Sequence, residues 1–131
     1  MSTTTKHLHA LPFWEHLNNA EKDMLRNNAY IRTFDRDSYI LHSMAGEDIG
    51  LMMLVEGRIR AYLLSPDGRE ITLFSLHDQS ICIFSALSLF NQISFQVFLT
   101  SDCRSRVLVV NMSIMEQLMR NNLYFRCFAY E

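Results

Sequence analysis

The chain has 131 residues, 49% of them hydrophobic and 20% charged, which is the size and make-up of one globular domain and leaves no room for a second. Twelve Lys plus Arg against fourteen Asp plus Glu give a net charge of -2, so the chain lacks the basic footprint that binding to a phosphate backbone needs. Three cysteines, Cys82, Cys103 and Cys127, are too few and too scattered for a disulfide framework, and residues 1–10 lack the continuous apolar core of a secretory signal. Both features point to an unexported chain in a reducing cytoplasm.

The first thirty residues carry a helical rhythm. Pro12 suits a first helical turn, Phe13, Trp14 and Leu17 share a face, and Met24, Leu25 and Asn28 follow at spacings of three to four, so two short helices are predicted. His7-Leu8-His9 precedes them and reads as a mobile tail. From Ile31 the rhythm changes to short runs of β-branched, aromatic and aliphatic residues separated by turn residues, which predicts a sheet. The predicted strands are Ile31–Phe34, Tyr39–His42, Leu51–Val55, Arg58–Leu64, Glu70–Ser75, Ser80–Ile83, Ile93–Thr100 and Arg104–Val110.

Glu56-Gly57 and Ser65-Pro66-Asp67-Gly68 read as tight turns between neighbouring antiparallel strands, since Pro presets φ and Gly supplies positive φ. Alternation in Arg58–Leu63 fits a strand with one wet face. Gln79–Ser101 carries no charge and is long enough to span a bilayer, but Gln79, Ser80, Ser85, Ser88, Asn91, Gln92, Ser94 and Gln96 interrupt it, so no membrane span is expected. After Val110 helical spacing returns. Ser113 with Glu116 reads as a capping box, and Met112, Met115, Leu118 and Met119 form a stripe suited to core or dimer packing. Leu123, Tyr124, Phe125, Phe128 and Tyr130 crowd the last nine residues, where something is expected to pack.

Several pieces, in order, resemble the effector domain of the CRP/FNR transcription regulators, with its cyclic-nucleotide-binding-domain fold. They are Leu11-Pro12-Phe13-Trp14 with Leu17, Gly46-Glu47, the run Leu51 to Ile59 with Gly57 at its turn, Ser65 to Glu70, and Leu87-Ser88-Leu89-Phe90. The resemblance spans nearly the whole chain. It implies a mainly β fold with flanking helices, a double-stranded β-helix or jelly roll, over residues 1–131, with residues 111–131 leading into a dimerisation helix. It also implies a homodimer and an operator-binding helix-turn-helix domain that this chain does not contain, so the chain reads as part of a longer regulator.

In that family a cyclic-nucleotide cassette has Gly-Glu-Leu followed by Arg-Ser/Thr-Ala, where the Arg neutralises the cyclic phosphate and the Glu takes the ribose hydroxyl. Anchored on Leu87-Ser88-Leu89-Phe90, the Gly and Glu positions are Ser85 and Ala86, and the Arg, Ser and Ala positions are Gln96, Val97 and Phe98. Both charged groups are gone, and no Lys or Arg lies between Arg69 and Arg104. A buried phosphate without a cation forfeits a charge-assisted bond worth roughly 1.5 to 3 kcal/mol and keeps its desolvation cost. The cavity is then either closed by Phe84, Phe95 and Phe98 or holds a neutral or apolar effector. The predicted pocket wall is Ile71, Leu73, Ile83, Phe84, Ser85, Ala86, Leu87, Gln96, Val97 and Phe98. The residues predicted to face a second copy are Met115, Met119, Tyr124 and Phe128.

Three other readings stay open. Cyclic nucleotide binding through a non-standard site is one. A haem gas sensor with His77 and Cys82 as axial ligands is another, set against their plain reading as a polar turn and a small buried hydrophobe. A metal-dependent cupin built on His7 and His9 is the third. No cofactor or metal is expected, and Asp35, Asp37, Glu47, Asp48 and Glu56 form no pair with a His or Ser at catalytic spacing, so no enzymatic activity is expected either.

Overall fold

The computed structural model describes residues 3–40, 49–83 and 97–122. In chain order these form α1 (Thr3–Leu8), a 3₁₀ turn (Trp14–His16), α2 (Asn19–Asn28), β1 (Tyr30–Phe34), β2 (Ile49–Glu56), β3 (Ile59–Leu64), β4 (Glu70–Leu76), β5 (Ile81–Ile83), β6 (Val97–Ser101), β7 (Ser105–Asn111) and α3 (Met112–Asn121). Two antiparallel sheets hold the strands, one in the order β1-β7-β2-β5 and the other β4-β3-β6. This is the jelly roll with flanking helices that the resemblance implied.

Two cores follow from strand alternation, because successive side chains of a strand point to opposite faces. On β2 and β7, Leu51, Met53, Leu108 and Val110 face the helices and pack with Leu8, Phe13, Trp14, Leu17, Leu25, Met115 and Leu118. Their neighbours Met52, Leu54, Val107 and Val109 face the other sheet and meet Phe34, Ile59, Ala61, Leu76 and Leu99. The uncharged run of β2 is therefore apolar on both faces because both are covered.

The turn at Gly57 does not join paired strands, contrary to the expectation. β2 pairs with β5 and β7, whereas β3 pairs with β4 and β6, so Gly57 carries the chain from one sheet to the other. Its φ of 117° and the Ser105 side chain pressed against it leave no space for a Cβ. The Ser65–Gly68 turn does close a hairpin, between β3 and β4, with the Ser65 N–H donating to the Arg69 carbonyl at 2.8 Å.

Other boundaries differ as well. Of the predicted strand Tyr39–His42, Tyr39 makes an isolated bridge to Thr100, Ile40 has left the strand, and residues 41–42 lie outside the described residues. The described part of Ile93–Thr100 starts at Val97. The presumed tail around His7 is a helix instead, held because Leu8 is fully buried in the helix-side core. Asn111, two residues ahead of Ser113, caps α3 by accepting the Ile114 N–H at 3.0 Å, and the reciprocal capping box belongs to α2, between Asn18 and Glu21. The aromatic run 123–130 lies outside the described residues.

Candidate functional site

The predicted pocket lies against the β4-β3-β6 sheet, and its register decides which side chains can reach a ligand between the sheets. Ile59, Ala61 and Leu99 belong to the inter-sheet core, and Ala61 pairs with Leu99 while Leu63 pairs with Val97. Phe98 therefore falls on the opposite, outer face, paired with Tyr62. That removes Phe98 from the pocket wall. There it stacks on the Tyr62 ring at 5.3 Å and meets Tyr39 edge-on at 6.4 Å, an arrangement that lets Tyr62 be buried while facing away from the core.

Pairing between β3 and β4 shifts register between Ala61 and Tyr62, so that Tyr62 pairs with Thr72 but Ala61 pairs with Phe74 and Leu73 is the extra residue. The bulge has a consequence for the site. Simple alternation from Ile71 and Leu73 would send Phe74 outward; instead Ile71, Phe74 and Leu76 all pair with core-facing residues. Leu76 is buried and Leu73 packs partly against the inter-sheet core. Ile71 and Phe74 remain 51% and 36% exposed. Among the described residues, Ile71 and Phe74 are thus in register with the core-facing side of β3 and yet exposed. No period in the sequence signals this, because the bulge is a property of the pairing.

On the opposite sheet, Ile83 ends β5 and pairs with Leu51, a helix-side residue, while Cys82 pairs with Met52 of the inter-sheet core. Ile83 is the last described residue before the stretch that carries most of the predicted wall. Phe84, Ser85, Ala86, Leu87 and Gln96 lie outside the described residues.

The electrostatics of these walls are simple. The inter-sheet core is built from apolar side chains, and at its Phe34 end the Arg32 guanidinium lies 5.5 Å from the ring centre. Arg60, a cation on β3, lies on the outer face: its guanidinium sits 4.4 Å from the Tyr62 ring centre and is engaged by Thr72 at 3.3 Å and Glu70 at 3.4 Å. It is held away from the space between the sheets.

Of the dimer candidates, Met115 is 2% exposed and belongs to the helix-side core of its own chain. It has no surface to offer a second copy, so that assignment is corrected. Met119 is half-buried beside the same core, and Tyr124 and Phe128 lie outside the described residues.

The remaining candidates are dispersed. His9 stacks on Trp14 at 5.0 Å. His7 is half-buried, and burial, followed by the nearby Arg106 and Lys6, holds its imidazole pKa below the ordinary value, with Glu56 acting weakly the other way. The two histidines thus serve different neighbours. His77 is exposed in the turn between β4 and β5, where its N–H donates to Ser80 Oγ at 3.0 Å. Among the described residues no three His, Cys, Asp or Glu side chains gather as a metal site, and no helix is long and apolar enough to cross a membrane.

The class of fold defined here is a roll of two antiparallel sheets with helices packed on one side. The cyclic nucleotide-binding domain family matches residues 31–122, and the chain belongs to it. Among solved structures, a protein assigned to the CRP/FNR family of transcriptional regulators from Eubacterium rectale is 25% identical, with a TM-score of 0.78 over 93% of this chain and 56% of its own. The sensor domain of the transcriptional regulator DNR from Pseudomonas aeruginosa is 16% identical, with a TM-score of 0.74 over 99% of this chain and 87% of that one. Oxidised CprK in complex with o-chlorophenolacetic acid is 23% identical, with a TM-score of 0.50 over 75% of this chain and 40% of that one. This chain therefore spans little more than half the length of the Eubacterium protein. No curated protein sequence matches it.

Proposed function

We propose that this chain is the sensor domain of a CRP/FNR-like transcription regulator whose roll takes a neutral or apolar effector and does not bind cyclic nucleotide through the usual phosphate cassette. The observation that carries the proposal is the uncovered inward edge of β4, where Ile71 and Phe74 are in register with the core and yet exposed. A ligand seated there, against Leu73, covers on the order of 100 Å² of apolar surface, worth about 2–3 kcal/mol gross. A cyclic phosphate in the same place meets neutral walls and gains no charge-assisted bond.

On this reading the working protein is a homodimer, with Met119, Tyr124 and Phe128 turned to the second copy, and operator DNA is bound by a helix-turn-helix domain outside this chain. The effector acts by binding one of two arrangements of the terminal helices better than the other. CprK, solved with o-chlorophenolacetic acid, is an example of this fold holding an aromatic molecule.

Binding of Nile red, a neutral solvatochromic dye, tests the pocket. The wild-type chain takes it up with a blue-shifted emission, Ile71→Glu and Phe74→Ser each weaken uptake about tenfold or more, and Phe98→Ala, on the outer face, leaves it unchanged. Cyclic AMP at about 1 mM leaves the melting temperature where it was, since a ligand without affinity for the folded state gives no linkage stabilisation. A rise of several degrees with cyclic AMP, or dye uptake indifferent to Ile71 and Phe74, refutes the proposal.

A further inference from the structure

The N-terminal helices and the end of α3 meet at one carboxylate. Glu21, in the first turn of α2, is 7% exposed, and its Oε1 accepts two hydrogen bonds, from the Asn18 N–H at 3.0 Å and from Asn122 Nδ2 at 3.0 Å. The first is half of the α2 capping box. The second joins residues 101 positions apart in the chain and lands on the C-cap of α3.

The Asn122 side-chain amide also donates to the His16 carbonyl at 3.0 Å, while the Asn122 backbone N–H closes α3 on the Leu118 carbonyl at 2.9 Å. One side chain thereby ties the last turn of α3 to both the 3₁₀ turn and α2. The other carboxylate oxygen, Glu21 Oε2, is buried without a hydrogen-bond partner among the described residues. Such an oxygen costs free energy that capping does not require, because a neutral Gln satisfies the same capping box.

The apolar contacts around this point do not define a direction. Met115 and Leu118 of α3 pack on Trp14, Leu17 and Leu25, and contact of that kind tolerates sliding and rotation, whereas a hydrogen bond between two fixed groups sets one register. We propose that the Glu21–Asn122 pair is a latch that fixes the direction in which the backbone leaves α3. Closed, it bolts the helix end to the N-terminal helices. Open, it frees the last turn of α3 and lets water reach both Glu21 oxygens. Glu21 is then the positioning residue through which α2 holds the last turn of α3. This is independent of which effector the roll binds.

Amide hydrogen exchange on the full chain tests it, with the interior of β7 as the internal reference. Asn122→Asp sets a second carboxylate against Glu21 and opens the latch, so exchange in the last turn of α3 accelerates about tenfold or more while β7 keeps its protection. Adding Glu21→Gln to that variant supplies an amide donor to the new carboxylate and returns exchange to within about threefold of wild type. Asn122→Ala, which removes the bond without repulsion, gives a smaller acceleration in the same turn. Unchanged protection in Asn122→Asp overturns the latch, as does a double variant that exchanges as fast as the single one. Loss of β7 protection in parallel with α3 in both Asn122 variants also overturns it, since the pair would then serve global stability alone.

Discussion

Replacing Gly57 by Ala asks whether the crossing between the two sheets is as tight as it looks. At φ 117° an L-residue is strained, at about 1–3 kcal/mol. The new Cβ would also run into Ser105 Oγ and lie 2.8 Å from Ser105 Cα. Oγ can rotate away, but Cα belongs to β7 and cannot, so overpacking adds about 1–3 kcal/mol. Rotating Oγ gives up the bonds it makes at the crossing: it accepts the Arg58 N–H at 3.2 Å and donates to the Cys103 carbonyl at 2.9 Å. Losing one such bond costs about 1 kcal/mol.

The sum is about 3–7 kcal/mol, a large part of the stability of a domain this size. Gly68 supplies the control. It too has positive φ, at 85°, but nothing lies within 4 Å of an added Cβ, so Gly68→Ala pays backbone strain alone, about 1 kcal/mol. Urea unfolding of the two variants, analysed with one m value, reads the difference directly. Gly57→Ala is expected to be at least about 2 kcal/mol less stable than Gly68→Ala, which corresponds to several degrees in melting temperature. If the two variants fall within about 0.5 kcal/mol of each other, the tight crossing is not what requires glycine.

Two further predictions come from local structure. Asn111→Ala, which loses the cap on Ile114, costs about 1 kcal/mol in urea unfolding, while Ser113→Ala, the cap that the sequence pattern suggested, costs less than half as much. His7 has its folded pKa depressed by burial and then by Arg106 and Lys6, against Glu56, so below its unfolded value of 6.5 the unfolded chain binds more protons than the folded one. Its contribution to stability is complete above pH 6.5 and is lost as pH falls through the lower folded pKa. His7→Asn flattens the fall in melting temperature over the range from about pH 6.5 down to pH 5, and an unchanged slope there contradicts the assignment.

Much of this domain can be read from short-range chemistry. Turn residues at Ser65–Gly68 announce the β3–β4 hairpin because φ preferences are local, and the switch from helical to strand rhythm near Ile31 marks where the helices end because side-chain periodicity is local too. The neutrality of the cassette stretch is likewise a plain fact of residue type, and it disfavours an anionic ligand whatever the fold. Asn18 and Glu21 stand at capping-box spacing, a local signal for the start of α2.

The chain's own order could not say which strands pair. Gly57 looks like any hairpin glycine until β2 is seen to pair with β5 and β7, and β3 with β4 and β6. Phe98 sits beside predicted pocket residues in the sequence, yet pairing with Tyr62 places it on the outer face, and the bulge at Leu73 brings Phe74 into register with Ala61. A one-residue shift reverses every side chain beyond it, and nothing within the strand records that shift. Composition and local pattern therefore settle which residues build strands, helices and an uncharged wall. Contacts between residues far apart in the chain decide which side of the wall each of them occupies.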